Sequence, residues 1–537
     1  MRNRFQPLFL FALIALVFTV STSCRRASDT FTIALDGNFD TLDFLGAGSV
    51  PANAERIRTL MYSALVKKNE NFEYVGDAAS DIQSSFDNLT LTFTLRDNIK
   101  FHDGKPLTSA DAKYTLDSLL KLSSPKAAAF FETVNGQRMP MITEINAPDP
   151  KTLTIRLARP ALKNNLLANL VAIPILPENS QIGSGSNNAA PGSTPNPGVY
   201  TPPPGTGAYK YVRYDSANNF VELEANEQYW EGAPNIKRLR VRVITDANSL
   251  QAELRSGRVQ LAPMTINLSP DTLNSFSKDS NFNVQQFPGS NIQYLSFNTQ
   301  EKPFDNVKVR QAIAYAINRD EIINNLLFGQ AKLAYSILPE TSWAYAPGTK
   351  YDFNQEKARQ LLDEAGFKPD ASGNRFPKTV KFKIIAGNAA TSQYTQVIQN
   401  QLKAVGIPVE IETAESGVFF DQLKKGQYQM TTARYVGGNH DPLYFRDLFA
   451  SSQIGNSNRT RYSNPEFDDL VSKAVNETDR EKARQLYVQV QEIISRDVPL
   501  LPLWYPANMV VASKSVGNLK VEPSGDWTFV RNLTYTQ

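Results

Sequence analysis

Residues 91–122 read LTFTLRDNIKFHDGKPLTSADAKYTLDSLLKL. Thr92, Phe93, Thr94 and Leu95 alternate polar and apolar, which predicts a half-buried strand. The Asp103-Gly104 pair marks a turn, with a second short strand expected ahead of it. Thr108 and Asp111, three residues apart, match a capping box, so a helix should open there. Strand, turn, strand, turn, capped helix: this order by itself says only α+β.

Outward from that stretch the periodicities continue. TFTIALD (30–36) predicts a strand, and residues 54–66 an amphipathic helix with Ile57, Leu60, Met61 and Leu65 on one side. A strand is expected over 152–158, a short helix over 161–170, and two strands between 209 and 223. Residues 182–207 are too rich in Gly, Pro, Ser and Asn to bury a face and predict a mobile surface loop. A strand is expected over 294–298. Asn306 then predicts the cap of a helix burying Val309, Ile313, Ala316, Ile317 and Ile323. Asn354 should cap another that ends at Gly366. Between 379 and 435 the order β, α, β, α predicts a parallel sheet with crossover helices. A long helix is expected over 480–496, and the final 30 residues read as strand-like.

The amino terminus predicts export. Arg2 and Arg4 precede an unbroken apolar run of 11 residues, Leu8 to Phe18. That suits a secretory h-region and falls short of the roughly 20 residues of a spanning helix. Ser21, Thr22 and Ser23 then lead to Cys24, the one cysteine of the 537 residues. A single cysteine forms no internal disulfide, so Cys24 is a free thiol, an incidental residue beside a cleavage site, or a modified one. Removing residues 1–23 takes away two arginines and lowers the net charge from +3 to +1. Near-neutrality argues against nucleic acid or a polyanionic surface as main partner. The length calls for two to four domains.

Catalytic motifs are missing from the sequence. It has no nucleophile elbow, Walker sequence, HExxH or CxxC, and only two histidines, His102 and His440. With Cys24 at the amino terminus, a His/Cys metal site of ordinary spacing cannot be assembled. No resident metal or cofactor is expected. A hydrolase built on paired carboxylates stays open, because sequence alone does not say which acids share a pocket.

The 91–122 stretch resembles, almost position by position, the pattern YTFxLRxGVKFHDGxPxTAxDVxxTL, with Asn98 where a Gly is usual. That pattern is a signature of the extracellular solute-binding proteins of family 5, the peptide- and nickel-type receptors of ABC importers. AERIRTLMYSALV (54–66), GTGAYKYV (205–212) and RYVGGNHDPLYF (434–445) resemble further segments of it, and the likeness runs from about residue 31 to 522. It implies an α/β, two-lobed fold of the periplasmic-binding-protein type II (Venus-flytrap) kind with an additional domain. The implied division is a signal peptide at 1–23, a discontinuous first lobe (30–62, 172–292, 505–537), an additional domain (63–171) and a second lobe (293–504). The strands near Ser290 and Pro506 would be the hinge.

The implied function is capture of peptides or peptide-like solutes by hinge closure and delivery to membrane permease subunits, by a monomer without covalent chemistry. Cys24 resembles the lipid-modified cysteine of bacterial lipoproteins, although Ser21 stands where Leu is usual; it implies a protein of the cell envelope, periplasmic or extracytoplasmic, anchored to the membrane. A nickel or metallophore receptor of the same family and a ligand sensor are the alternatives.

The implied ligand site includes Tyr435, Gly438, His440, Asp441, Asp40 and Trp343. The 434–445 loop resembles the family's GWxxDYxDP segment, whose acidic residue four before the proline pairs with a peptide ammonium. Here that position is Gly438, and Tyr435 replaces a Trp. A desolvated ammonium without a partner costs several kcal/mol, whereas a charge-assisted pair contributes about 1.5–3. The ligand therefore either lacks a free amino terminus or pairs it elsewhere, with Asp40, Asp43 or Glu415 as substitutes. Asp441 could equally shape the turn. Trp343, Tyr345, Tyr435 and Trp504 could equally be core, and His102 is expected to orient its own turn.

Overall fold

The computed structural model describes residues 30–39, 41–46, 52–134, 137–182, 200–264, 267–435 and 442–536. Three sheets organise the chain. The largest has seven strands, in the order Tyr209–Asp215, Phe220–Ala225, Arg238–Val243, Phe31–Leu35, Leu261–Pro263, Asn508–Ser513 and Phe282–Phe287. Phe31–Leu35 lies inside it, parallel to both neighbours, and all five residues are buried. A strand covered on both faces reads as a continuous apolar run, as FTIAL does.

The second sheet has six strands: Ala331–Leu333, Leu500–Pro506, Ile292–Phe297, Met430–Tyr435, Val380–Ile385 and Val409–Ala414. Val380–Ile385 pairs in parallel with both Val409–Ala414 and Met430–Tyr435, through crossover helices Ala389–Lys403 and Ser416–Lys425. The carboxyl ends of these strands open on one edge, where open α/β sheets usually bind ligands. The third sheet is antiparallel: Ala79–Ser84, Thr90–Leu95, Thr152–Leu157 and Ile142–Asp149. Leu91, Phe93, Leu95, Leu153, Ile155 and Leu157 alternate inward as their spacing predicts. No helix among the described residues is long and apolar enough to cross a membrane.

In the 91–122 stretch the helix starts as expected. Thr108 and Asp111 form the capping box of Ser109–Leu119, with the Asp111 carboxylate accepting from the Thr108 amide at 2.8 Å. The expected second strand shrinks to one bridge between Lys100 and Pro106. Pro106 has no N–H for a ladder, and the Phe101 and Gly104 amides are used inside the 101–105 turn.

Three other expectations need correction. The helix expected to run from Asn306 and bury Ile317 and Ile323 stops at Ala316: Ile317 is extended, Asn318 caps a fresh turn by accepting the Glu321 amide, and Ile323 lies in the separate π turn Ile322–Leu326. The helix expected over 54–66 spans Ala52–Met61. Beyond it, the Ser63 amide donates to Thr206 Oγ1 at 3.1 Å and the Ala64 amide to Asp77 Oδ2 at 2.8 Å, so tertiary partners replace the helical ladder. In the carboxyl-terminal thirty residues only Asn508–Ser513 is a full strand. Val516–Gly517 and Thr534–Tyr535 pair briefly, and Thr528–Asn532 is a 3₁₀ turn. Asp526, bonded to Ser524 and Thr528 hydroxyls, offers the backbone a local alternative to pairing.

The seven- and six-stranded sheets are joined by two crossings. One runs from Phe282–Phe287 to Ile292–Phe297, the other from Leu500–Pro506 to Asn508–Ser513. They pass so close that a Cβ on Gly289 would lie 2.1 Å from the Pro506 carbonyl oxygen. Asn508 Nδ2 ties them further, donating to Pro288 O at 3.1 Å.

Candidate functional site

Beside these crossings the two sheets enclose a cleft with two adjoining cavities that share Arg56, Met264, Asn291 and Asn508. The larger, of about 470 Å³, lies mainly against the seven-stranded side. It is walled by the Ala52–Met61 helix, residues 62–68 and the 523–531 segment, with Tyr444 reaching in from the opposite side. The smaller, of about 140 Å³, is lined by Gln293, Asn388, Thr391, Tyr394, Arg434 and Trp504, facing Met264, Leu268, Leu273 and Met509.

The charges around the larger cavity are internally matched. Glu55 Oε2 accepts from Arg58 Nε at 2.6 Å and Glu55 Oε1 from Lys126 Nζ at 2.5 Å. Burial pushes the Lys126 ammonium down to about 8 against the pull of Glu55. Arg56 pairs with Asp36 at 2.9 Å, Lys67 with Glu231 at 3.3 Å, and Arg531 with Glu231. Asp77, raised by burial, accepts the Ala64 amide and sits 4.0 Å from Lys67.

The smaller cavity has a polar back wall. Gln293, almost wholly buried, donates through Nε2 to Tyr394 Oη (2.8 Å), Ala433 O (2.9 Å) and Thr432 Oγ1 (3.0 Å). This fixes the ring of Tyr394, which meets Trp504 edge-on at 5.1 Å. Arg434 stands at the carboxyl end of Met430–Tyr435 and opens onto the cavity. It is solvent-exposed at the cavity edge, and no carboxylate faces it among the described residues.

The residues expected to form the site are dispersed. Trp504 lines the smaller cavity. Tyr435 is stacked on Tyr294 with centroids 4.5 Å apart, and burial raises its phenol well above the ordinary value. Trp343 lines neither cavity; it meets Tyr487 edge-on and lies under the Arg480 guanidinium, which pairs with Glu73 at 2.8 Å. Tyr345 is half-buried at the edge of the same core. Glu415 is committed to capping Ser416–Lys425, accepting from the Gly417 and Val418 amides, and Asp43 is buried, accepting from the Leu45 and Gly46 amides. His102 clamps the glycine turn: its Nε2 bonds Gly207 O at 3.0 Å and its Nδ1 accepts the Gly205 amide. Burial lowers its pKa to about 4. Asp40, Gly438, His440, Asp441 and Cys24 lie outside the described residues.

Sequence reading missed Arg56, Gln293, Tyr394 and Arg434. Only Arg434 carried a signal, as an Arg where the GWxxDYxDP pattern has Gly. Among the described residues, no three His, Cys, Asp or Glu side chains gather as a metal site would require.

The family model of the bacterial extracellular solute-binding proteins, family 5 (middle), matches residues 73–457. The dipeptide-binding protein of Escherichia coli K12 is 29% identical over 87% of this chain and 88% of its own. Heme-binding protein A of Haemophilus influenzae is 28% identical over 87% and 85%. The crystal structure of the ABC transporter substrate binding protein CtaP from Listeria monocytogenes superposes with a TM-score of 0.81 at 24% identity. It covers 95% of this chain and 99% of that one, and speaks for the fold.

Proposed function

The chain belongs to the bacterial extracellular solute-binding proteins of family 5, and we propose that it captures peptides or peptide-like solutes in the inter-sheet cleft and delivers them to a membrane ABC permease. The observation that carries this reading is the cleft itself, placed where two crossings between the large sheets run side by side. Small φ/ψ changes at 288–291 and at 507 would swing one lobe against the other. In this reading the lobes divide as 30–62, 172–292 and 505–537 against 293–504, with 63–171 as the added domain.

In this reading Arg480–Glu73 (2.8 Å) and Arg159–Asn476 (3.0 Å) tie the second lobe to the added domain and help hold the closed form. Ligand stabilises closure by its differential affinity for the two forms; a shift from 1:99 to 99:1 needs about 5.5 kcal/mol. The chain acts as a monomer, without covalent chemistry, held at the envelope through a lipid on Cys24. Calorimetry with the mature chain and defined tri- to pentapeptides tests the proposal. Saturable binding with intact peptide recovered supports it. No binding, or cleavage of the peptide, contradicts it.

A further inference from the structure

We propose that Arg434 is the anchor for a carboxylate of the ligand, so that the smaller cavity takes an anionic end. The proposal rests on the cleft being the ligand site and adds which chemistry that site selects.

Three observations converge. First, the cleft's other cations are engaged: Arg56 with Asp36, Arg58 with Glu55, Lys67 and Arg531 with Glu231. Arg434 has neither an ion pair nor a side-chain hydrogen bond among the described residues, although it stands in a cavity walled by Leu268, Leu273, Trp504 and Met509. A guanidinium stays charged at neutral pH, and at this solvent-exposed position its N–H groups are open to a ligand acceptor that displaces water. Second, two arginines and no carboxylate line the smaller cavity among the described residues. An ammonium would meet only like charge there, whereas a carboxylate would be met by a donor fork of matching geometry. Third, the size is right for one end of a ligand. The smaller cavity's 140 Å³ falls below the roughly 300–1,000 Å³ that houses a whole drug-sized molecule. The 470 Å³ cavity joined to it at Arg56 and Asn291 takes the remainder.

The backbone also explains why the side chain is held out. Arg434 pairs with Gln293 across the sheet, while its neighbours Thr432 and Ala433 hold the Gln293 amide from behind. The strand is fixed at its last residues, and the long side chain extends forward from it. Because no described side chain depends on Arg434, replacing it should leave the fold intact.

The test uses the full mature chain, as wild type, R434Q and R434K. Each is titrated with a panel of tri- to pentapeptides in free-acid, C-terminally amidated and N-acetylated forms, with and without an internal Asp or Glu. Amidation is expected to weaken wild-type binding about tenfold or more. R434Q should weaken the free acids by a similar factor, leave the amides within about threefold, and be partly rescued by R434K. N-acetylation should be tolerated. If amides keep an Arg434-dependent affinity only when they contain Asp or Glu, the anchored group is a side-chain carboxylate. Peptides that bind equally as acids and amides in both wild type and R434Q would overturn the inference while leaving peptide capture standing. If no peptide binds, peptide capture fails, and benzoate against benzamide decides the inference. Thermal stabilisation of wild type but not R434Q by benzoate supports it, and equal or absent stabilisation overturns it. A melting temperature of R434Q matching wild type confirms that affinity is being read, not folding.

Discussion

The two cavities of the cleft are built on opposite electrostatic plans. Around the larger one, Glu55 and Asp77 are already engaged by Arg58, Lys126 and the Ala64 amide, and Arg56 is held by one oxygen of Asp36. These charges hold helix to loop and have little left to offer a guest. At the smaller one, Gln293 and Tyr394 are locked together while Arg434 faces the cavity without a carboxylate among the described residues. Paired charge is scaffold; unpaired charge is recognition. The comparison teaches that the number of charged residues near a cleft says little until each has been matched to its partner.

The sharpest way to break it is to orphan the paired side. Glu55→Ala strands Arg58 and Lys126 in a largely buried setting and should lower stability by about 3 kcal/mol, read as a shift in urea midpoint. Little change would mean that these charges are solvated and the contrast is false. Gly289→Ala sets a methyl against the Pro506 carbonyl and should cost about 2 kcal/mol by overpacking. It should also change the affinity for peptide, since the crossings must move together. Unchanged stability and affinity would show that the crossings tolerate separation.

A third effect depends on pH. His102 stays neutral in the folded chain down to about 4, whereas the unfolded chain takes up its proton near 6.5. In that window the unfolded state binds more protons, so stability should fall as pH drops from 6.5 towards 4, by up to about 1.4 kcal/mol per pH unit. His102→Gln should flatten this part of the melting-temperature profile, and a slope identical to wild type would refute the assignment. The smallest effect belongs to the tie between the second lobe and the added domain: Arg480→Ala should change stability by no more than about 1 kcal/mol. A larger loss would move part of the closure energy away from the cleft.

Local signals in the sequence were strong where local physics decides the outcome. The Thr108–Asp111 box, the Asn306 and Asn354 caps and the inward set Val309, Ile313 and Ala316 lie where side-chain period and capping chemistry put them, whereas Ile317 and Ile323 are buried from beyond the helix end. The end of the Ala52–Met61 helix was illegible, because Thr206 and Asp77 take over the Ser63 and Ala64 amides from far along the chain. The carboxyl-terminal segment was misread for a similar reason: its apolar residues, Trp527 above all, are buried by a loop docked on the core, not by a ladder. At the candidate site, Trp343 and Trp504 could not be told apart by residue type. One rests on Tyr487 and the other lines the smaller cavity, a difference set wholly by tertiary contacts. Arg434 was visible only as a departure from a pattern, and its meaning needed the absence of a facing acid among the described residues, which no linear reading supplies.

The central claim is that two lobes close over a guest held between them. Small-angle scattering of the mature chain, with and without a saturating peptide identified by calorimetry, tests it most directly. The radius of gyration is expected to fall reproducibly on binding. Profiles that superimpose while calorimetry reports saturation would contradict it.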